Sequence, residues 1–416
     1  MKRFLRVLML LLVRIIGIPG AYAARQQAQR PISQTPRILL LRPDHLGDLV
    51  LTTPVLEALR KHAPNAQITM MVGPWSSEIV ARHPAIDRLL TCPFPGFQRA
   101  PQKSLTPYFL LFSIAQQLRR GNYDLAINLR PDFWWGAALL YLARIPCRVG
   151  YAISISTPFL THALPFPTPE HATRSNLRLI SAGLQARGYQ PLEEPYTPER
   201  YPLQFTPTEE EHHWVQERLK KAGIDAESPV IVIHPGTGAD VKLWRPEAWA
   251  NCANILTSTS LFPTAVYIIL TGSRHERPML EEIAQHIMPP PPVITDATVG
   301  QLAALLKRAQ LVLGVDNGPL HLAVAQGTPT IALFGPTDAR IFGPWGTPEQ
   351  HIVIASTQRC AGCPMIPCGR LDFGPEDLAA HPCVRLIPEK RVIETVTTIL
   401  KNCNQANPMH SQPLQP

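Results

Sequence analysis

Apolar positions along the chain fall into short unbroken runs that alternate with segments of helical spacing. RILLLR at 37–42, ITMMV at 68–72, YDLAIN at 123–128 and RVGY at 148–151 are the first series of runs. Unbroken runs of this length predict strands buried on both faces, as in a parallel sheet, with the last of them at the sheet's edge. Between them the spacing predicts an amphipathic helix over 49–62, an apolar helix ending at Ala143 and a helix over 171–188, with Ser76 or Ser77 placed to cap another. A second series follows a predicted helix at 208–222, with strands over 230–233, 265–270, 293–295, 311–314 and 330–334. Strands and helices alternating at this spacing imply a doubly wound parallel sheet. The fold class is therefore α/β, with two Rossmann-like domains facing a cleft. The N-terminal domain is expected over 37–188 and the C-terminal one over 208–400. The proline-rich, aperiodic stretch 189–207 is the expected linker. Between Cys92 and Tyr108 the pattern lapses, and a long loop in a compact domain is often functional.

One stretch organises the rest: LVLGVDNGPLHLAVAQGTPTIALFGPTD, residues 311–338. It reads as strand, tight turn, short helix, strand and turn. Pro319 suits a first helical position and Gly327 an end. In open α/β sheets ligands sit at the carboxyl ends of strands, where a helix N-terminus offers amides and a positive dipole to an anion.

Three further turns are expected on that edge. His234-Pro235-Gly236-Thr237-Gly238 follows the first strand of the second series, with Lys242, Trp244 and Arg245 beyond it. Small residues let backbone amides approach an anion, and a lysine is a point charge for phosphate. Thr271–Glu276 follows the next strand, where a carboxylate such as Glu276 accepts from ribose hydroxyls. Asp316-Asn317-Gly318 with His321, and the turn 335–338, complete the set. A lone glycine-rich turn is usually only a turn, and a lone histidine is more often a satisfied core residue. Four turns on one edge favour a nucleoside-diphosphate ligand. In the first domain Asp48 is either a first-turn acid that stabilises its helix or a general base, with Asp44 and His45 as neighbours competing for that role.

Composition narrows the picture. At 416 residues and 45% hydrophobic, the chain is globular and long enough for two cores. The formal charge of +8 would suggest nucleic acid until it is located. Lys2, Arg3, Arg6, Arg14, Arg25 and Arg30 give the first 30 residues +6 with no acid, leaving +2 for the other 386. No nucleic-acid partner is expected from so neutral a body. Residues 1–30 combine this charge with MLLLV-type apolar runs. The longest, 7–13, is short for export and too short to span a bilayer. An interfacial helix on anionic headgroups is the favoured reading. A signal peptide cleaved after Ala21-Tyr22-Ala23 is the alternative.

The stretches ILLLRPDHLGDLVLTTPVLEALRKHAPNAQITMMVGP, VIVIHPGTGADVKLWRPEAWA and the 311–338 segment together resemble glycosyltransferase family 9, the heptosyltransferases of lipopolysaccharide core assembly. The resemblance covers roughly residues 37–400. It implies a GT-B fold, an inverting mechanism and an ADP-heptose-type donor held mainly by the C-terminal domain. It also implies Asp48 as base, Thr237, Gly238 and Lys242 in the phosphate-binding loop and Glu276 on the ribose. Asp316, Gly318 and His321 match an Asp-Thr-Gly-x-x-His motif, from which Asn317 departs where Thr or Ser is usual; its amide could donate to a phosphate oxygen. The loop between Thr237 and Lys242 is one residue longer than in some members.

Four of the eight cysteines, Cys360, Cys363, Cys368 and Cys383, form a C-terminal cluster suited to structural zinc or an iron–sulfur centre, with reduced thiols or disulfides as alternatives. No cofactor is required by the transfer itself, and a divalent cation on the diphosphate is compatible with it. The expected partners are a nucleotide-sugar donor, a lipid-linked glycan acceptor and the membrane surface. The expected location is cytoplasmic, peripheral at the inner face of the cell membrane. A sugar-nucleotide epimerase on the same fold and a non-catalytic nucleotide-sugar-binding or scaffold protein are the alternatives.

Overall fold

A computed structural model of the chain describes residues 2–28, 34–97, 105–166, 169–258 and 265–406. These form two units that divide between Tyr201 and Pro202, inside the 189–207 stretch. In the first unit α1 (Lys2–Ala28) precedes β1 (Arg37–Arg42), α2 (Leu46–Val50), α3 (Thr53–His62), β2 (Gln67–Val72) and β3 (Arg88–Thr91). Then come α4 (Thr106–Arg119), β4 (Leu125–Asn128), α5 (Trp134–Leu142), β5 (Cys147–Tyr151), β6 (His162–Leu164) and α6 (Ala172–Ala186). The six strands are parallel in the order β3-β2-β1-β4-β5-β6.

The second unit repeats the plan. It runs α7 (Glu209–Lys221), β7 (Val230–His234), α8 (Pro246–Ser258), β8 (Tyr267–Thr271), α9 (Arg277–Gln285) and β9 (Val293–Ile294). It continues with α10 (Val299–Arg308), β10 (Leu311–Val315), α11 (Gly318–Ala325), β11 (Thr330–Phe334), α12 (Ala339–Phe342), β12 (His351–Ala355) and α13 (Glu389–Ala406). Its parallel order is β12-β11-β10-β7-β8-β9. In each sheet the strand order reverses once, between β1 and β4 and between β7 and β10. Those switch points are where doubly wound sheets hold ligands.

The apolar runs become these inner strands because both faces are covered: every residue of β7, β10 and β11 is buried. The predicted helix over 49–62 is two helices. Pro54, at the second position of α3, has no N–H to continue α2, and Thr53 Oγ1 donates to the Val50 carbonyl instead. The run at 148–151 is not an edge strand, since β6 pairs outside it. Edge strands β3 and β6 escape the pattern because they are short and partly exposed. Ser76 caps no helix through its side chain; its hydroxyl donates to the Asp44 carbonyl at 2.9 Å. Of the lapse at 92–108, residues 98–104 lie outside the described residues, while Phe94 and Phe97 pack edge-on against Phe133.

Helix α1 is longer than its unbroken apolar run. As a helix, Val7–Ala24 is long and apolar enough to cross a membrane by length and composition, with Arg14 its one charge. Leu10, Val13, Gly17, Gly20 and Ala24 form a buried stripe. Tyr141 on α5 donates its hydroxyl to the Arg14 carbonyl at 2.9 Å, and side-chain atoms of Tyr141 and Arg144 occupy the space a Cβ would need at Gly17 and Gly20. Opposite the stripe, Val7, Leu8, Leu11, Ile15, Ile18 and Tyr22 are about half exposed or more.

Candidate active site

The richer of two polar constellations lies at the β7/β10 switch point. Asp316 directly follows β10, and its side chain is nearly buried. Lys242 reaches it from the single 3-10 turn Asp240–Lys242 that follows the first loop. The lysine Nζ donates to the Asp316 carbonyl oxygen at 2.8 Å and lies 3.2 Å from its Oδ2. Thr337 Oγ1, from the loop after β11, donates to the same Oδ2 at 2.7 Å. Thr237 Oγ1 donates to the Asp316 carbonyl at 3.4 Å. Three of the four predicted turns therefore meet on one carboxylate. An ammonium has three hydrogens, and Asp316 engages two of them.

Asn317 is the N-cap of α11, its Oδ1 accepting from Leu320 N at 3.1 Å. Its amide donates to the carbonyls of Gly236 and His234 at 2.8 and 3.2 Å. The structure thus occupies the amide expected on a phosphate with tying the first loop to the helix. Pro319 has no N–H and Leu320 is capped, so of the first turn's amides Gly318 is the one left for an anion.

Asp316, Asn317, Leu320, His321, Val324, Ala332, Phe334 and Pro344 line a small depression. His321 is buried, and its Nδ1 has no partner among the described residues. Burial pulls its imidazole down to about 4, with Lys242 pulling the same way against Asp316. The ring is neutral near pH 7, so it offers hydrogen bonding and no charge. His234, by contrast, is a satisfied core histidine, its Nδ1 2.9 Å from Thr271 Oγ1.

Glu276 caps its own turn, accepting from Ser273 N at 2.6 Å and Ser273 Oγ at 2.7 Å through Oε2. The carboxylate also lies over Gly236, where an added Cβ would stand 2.0 Å from Oε1. A side chain at Gly236 would have to push the Glu276 carboxylate aside. Gly238 is different: a Cβ would meet nothing within 4 Å, so it faces open space.

The second constellation lies at the β1/β4 switch point. Asp44 is buried between Arg42, 2.8 Å away, and Arg130. Twice paired, it is a poor candidate for a base. Asp48 sits in the first turn of α2, its side chain 28% exposed, with Arg42 Nη2 3.4 Å from Oδ1. His45 is exposed against the rings of Trp75 and Phe97. Sequence reasoning missed Arg42 and Arg130; two arginines at the ends of β1 and β4, on either side of the reversal, were the available signal.

The cysteine cluster gains a member. The ligand atoms of Cys360, Cys363 and His381 all lie within 4.8 Å of one another. Cys383 is buried and Cys368 half-buried nearby. His381 had no spacing signature of its own beyond standing two residues before Cys383.

The profile of glycosyltransferase family 9 (heptosyltransferase) matches residues 111–368, more than half of the chain. The chain is 28% identical over 310 residues to lipopolysaccharide heptosyltransferase 3 of Escherichia coli, covering 72% of this chain and 83% of that one. It is 25% identical over 332 residues to lipopolysaccharide heptosyltransferase 1 of Pseudomonas aeruginosa, covering 79% and 86%. Among solved structures it superposes on a family 9 glycosyl transferase from Veillonella parvula with TM-score 0.71 at 23% identity, over 90% of this chain and 100% of that one. It superposes on the E. coli ADP-heptose lps heptosyltransferase II with TM-score 0.66 at 19% identity, over 88% and 99%. These likenesses place the two six-stranded sheets in the GT-B class of α/β folds.

Proposed function

Because the chain belongs to glycosyltransferase family 9 (heptosyltransferase), we propose that it moves a heptose-like sugar from an ADP-heptose-type donor to a lipid-linked glycan such as lipopolysaccharide core. The observation that supports this most is the meeting of Lys242, Asp316 and Thr337 beside a depression holding the unpartnered His321 Nδ1. Lys242 gives its remaining hydrogen to a phosphate oxygen, while the neutral His321 supplies a hydrogen bond. Thr237, Gly238 and the Gly318 amide line the approach, Asn317 holds the loop to the helix, and Glu276 accepts from the ribose.

The reaction is an in-line displacement. Asp48 takes the proton of the acceptor hydroxyl, whose oxygen then bonds the anomeric carbon on the face opposite the diphosphate. The bond from that carbon to the phosphate oxygen breaks, its electron pair leaves with the nucleoside diphosphate, and the configuration inverts. Lys242 stabilises the leaving charge. An epimerase or a scaffold has less behind it, since the family profile and the curated relatives are transferases.

Helix α1 lies in the headgroup layer at the cytoplasmic face, its buried stripe on α5 and its apolar face in lipid. Cleavage after Ala23 would strip Val13, wholly buried, and two glycines packed on Tyr141 and Arg144 from the unit, which argues against a signal peptide. A bilayer-spanning α1 would have to give up the same contacts. A metal at the cysteine segment is a structural ion and no reagent.

Thermal unfolding against a panel of nucleoside diphosphates tests the donor reading. ADP at a hundred times its dissociation constant adds about 2.7 kcal/mol of stability. A panel in which no nucleoside diphosphate raises the midpoint would sink it.

A further inference from the structure

Between β12 and α13 the chain crosses behind the donor loops with no strand and only the 3-10 turn Pro375–Ala380. Cys360, Cys363 and Cys383 are 3–6% exposed there. A turn bonds Cys363 N to the Cys360 carbonyl at 3.1 Å, which folds the two cysteines towards each other. Cys363 Sγ is 3.2 Å from His381 Nδ1, and its thiol is within hydrogen-bonding reach of Cys360 and Cys368. Cys383 is in the same relation to Cys360. The His381 ring is stacked on Phe373, centroids 3.6 Å apart, which fixes its plane.

Thiols are weak hydrogen-bonding groups, so Cys360 and Cys363 gathered with one imidazole, and Cys368 and Cys383 beside them, satisfy little among themselves. They do match a tetrahedral ion. Two ligands on one zinc, with bonds of about 2.3 Å to sulfur and about 2.0 Å to nitrogen, stand roughly 3.5 Å apart, close to the Cys363–His381 separation. We propose that Cys360, Cys363 and His381, with a fourth thiolate from Cys368 or Cys383, hold a structural divalent cation of the zinc class, and that this ion braces the donor site. The site differs from an all-cysteine set in drawing its third ligand from His381.

The bracing follows from contacts on both sides of the ion. At Gly335 an added Cβ would stand 3.0 Å from Cys383 Sγ and 2.4 Å from Val384 Cγ2, so the loop after β11 lies directly on the cluster. Gly369 N donates to the Pro336 carbonyl at 2.7 Å. One residue further, Thr337 holds the Asp316 carboxylate. The first loop is tied to the same segment, Trp244 Nε1 donating to the Ile387 carbonyl at 3.0 Å. Releasing the ion frees the segment on which both loops rest. This second half rests on the donor reading; the ion itself does not.

The test uses the full chain, purified without metal-affinity resin. Elemental analysis by mass spectrometry is expected to find one equivalent of zinc per chain, or cobalt with thiolate charge-transfer bands after growth on cobalt. Cys363→Ser and His381→Ala are expected to lose the metal and the bands, while Cys252→Ser, a buried cysteine of the same unit, keeps them. Stripping the wild type with chelator is expected to lower its unfolding temperature and weaken ADP binding several-fold by calorimetry. A chain that stays metal-free after zinc reconstitution, or shows disulfides among these cysteines by non-reducing mass analysis, overturns the ion. Unchanged ADP affinity on stripping overturns the bracing. Metal-loaded protein that binds no nucleotide defeats the donor reading and leaves the ion standing.

Discussion

Replacing Lys242 with Met separates the structural from the ligand-binding use of one ammonium. The Lys242 and Asp316 side chains are 13% and 10% exposed, so the substitution leaves a largely buried carboxylate with Thr337 as its remaining side-chain partner. Removing one partner of a fully buried pair costs about 3–5 kcal/mol; with partial exposure and the threonine retained, about 2–3 kcal/mol is expected. In a unit the size of Pro202–Pro416 this lowers the unfolding midpoint by about 5–10 °C. Losing a charge-assisted hydrogen bond to phosphate costs a further 1.5–3 kcal/mol of ADP binding or so, a roughly 10- to 150-fold weaker Kd. Calorimetry well below the midpoint measures the second effect on folded protein. The double variant Lys242→Met with Asp316→Asn removes the orphaned charge, so stability should recover while ADP affinity stays low. An unchanged Kd in Lys242→Met, or a double variant no more stable than the single, would refute the reasoning.

The two aspartates of the first unit should behave oppositely. Asp44→Asn breaks a buried carboxylate with two arginine partners and should lower stability by about 3 kcal/mol in urea titrations. Asp48→Asn should change stability by about 0.5 kcal/mol or less but reduce turnover roughly 10²- to 10⁴-fold with ADP binding intact; wild-type turnover in that variant removes Asp48 as the base. Burial pulls His234, His321 and His351 down to about 4. Their unfolded forms titrate near 6.5, so stability is full above about pH 6.5 and falls on acidification towards pH 4, each histidine contributing about 1.4 kcal/mol per pH unit inside that window. His351→Gln, away from the site, should flatten the slope between pH 7 and 5 by one such share. For α1, flotation with anionic vesicles should recover the wild type and lose a Leu11→Glu, Ile15→Glu variant. That variant should fold normally, because both residues lie outside the buried stripe. Equal flotation would discard the lipid-facing reading.

The sequence determined the class of fold and the edge on which its chemistry lies. VIVI, LVLGV and IALF are apolar without interruption, and only strands covered on both faces accept that. Turn residues end each run, so His234, Thr271, Asp316 and Gly335 had to emerge on one side. The resemblance of these turns to family 9 followed from the same residues. Tertiary structure decided what local pattern does not encode. Whether Asp44 or Asp48 is engaged depends on Arg130, 86 residues away from Asp44, brought in by β1 pairing with β4. Whether His321 carries charge depends on burial, which a sequence position does not state. Asn317 spends its amide on carbonyls 81 and 83 residues earlier, so its departure from the family pattern is a loop tie visible only once β7 and β10 lie side by side. His381 joins Cys360 and Cys363 for the same reason. The spacing of ligands from different segments is set by how the chain packs back on its sheet, and an irregular segment leaves no period in the sequence to reveal it.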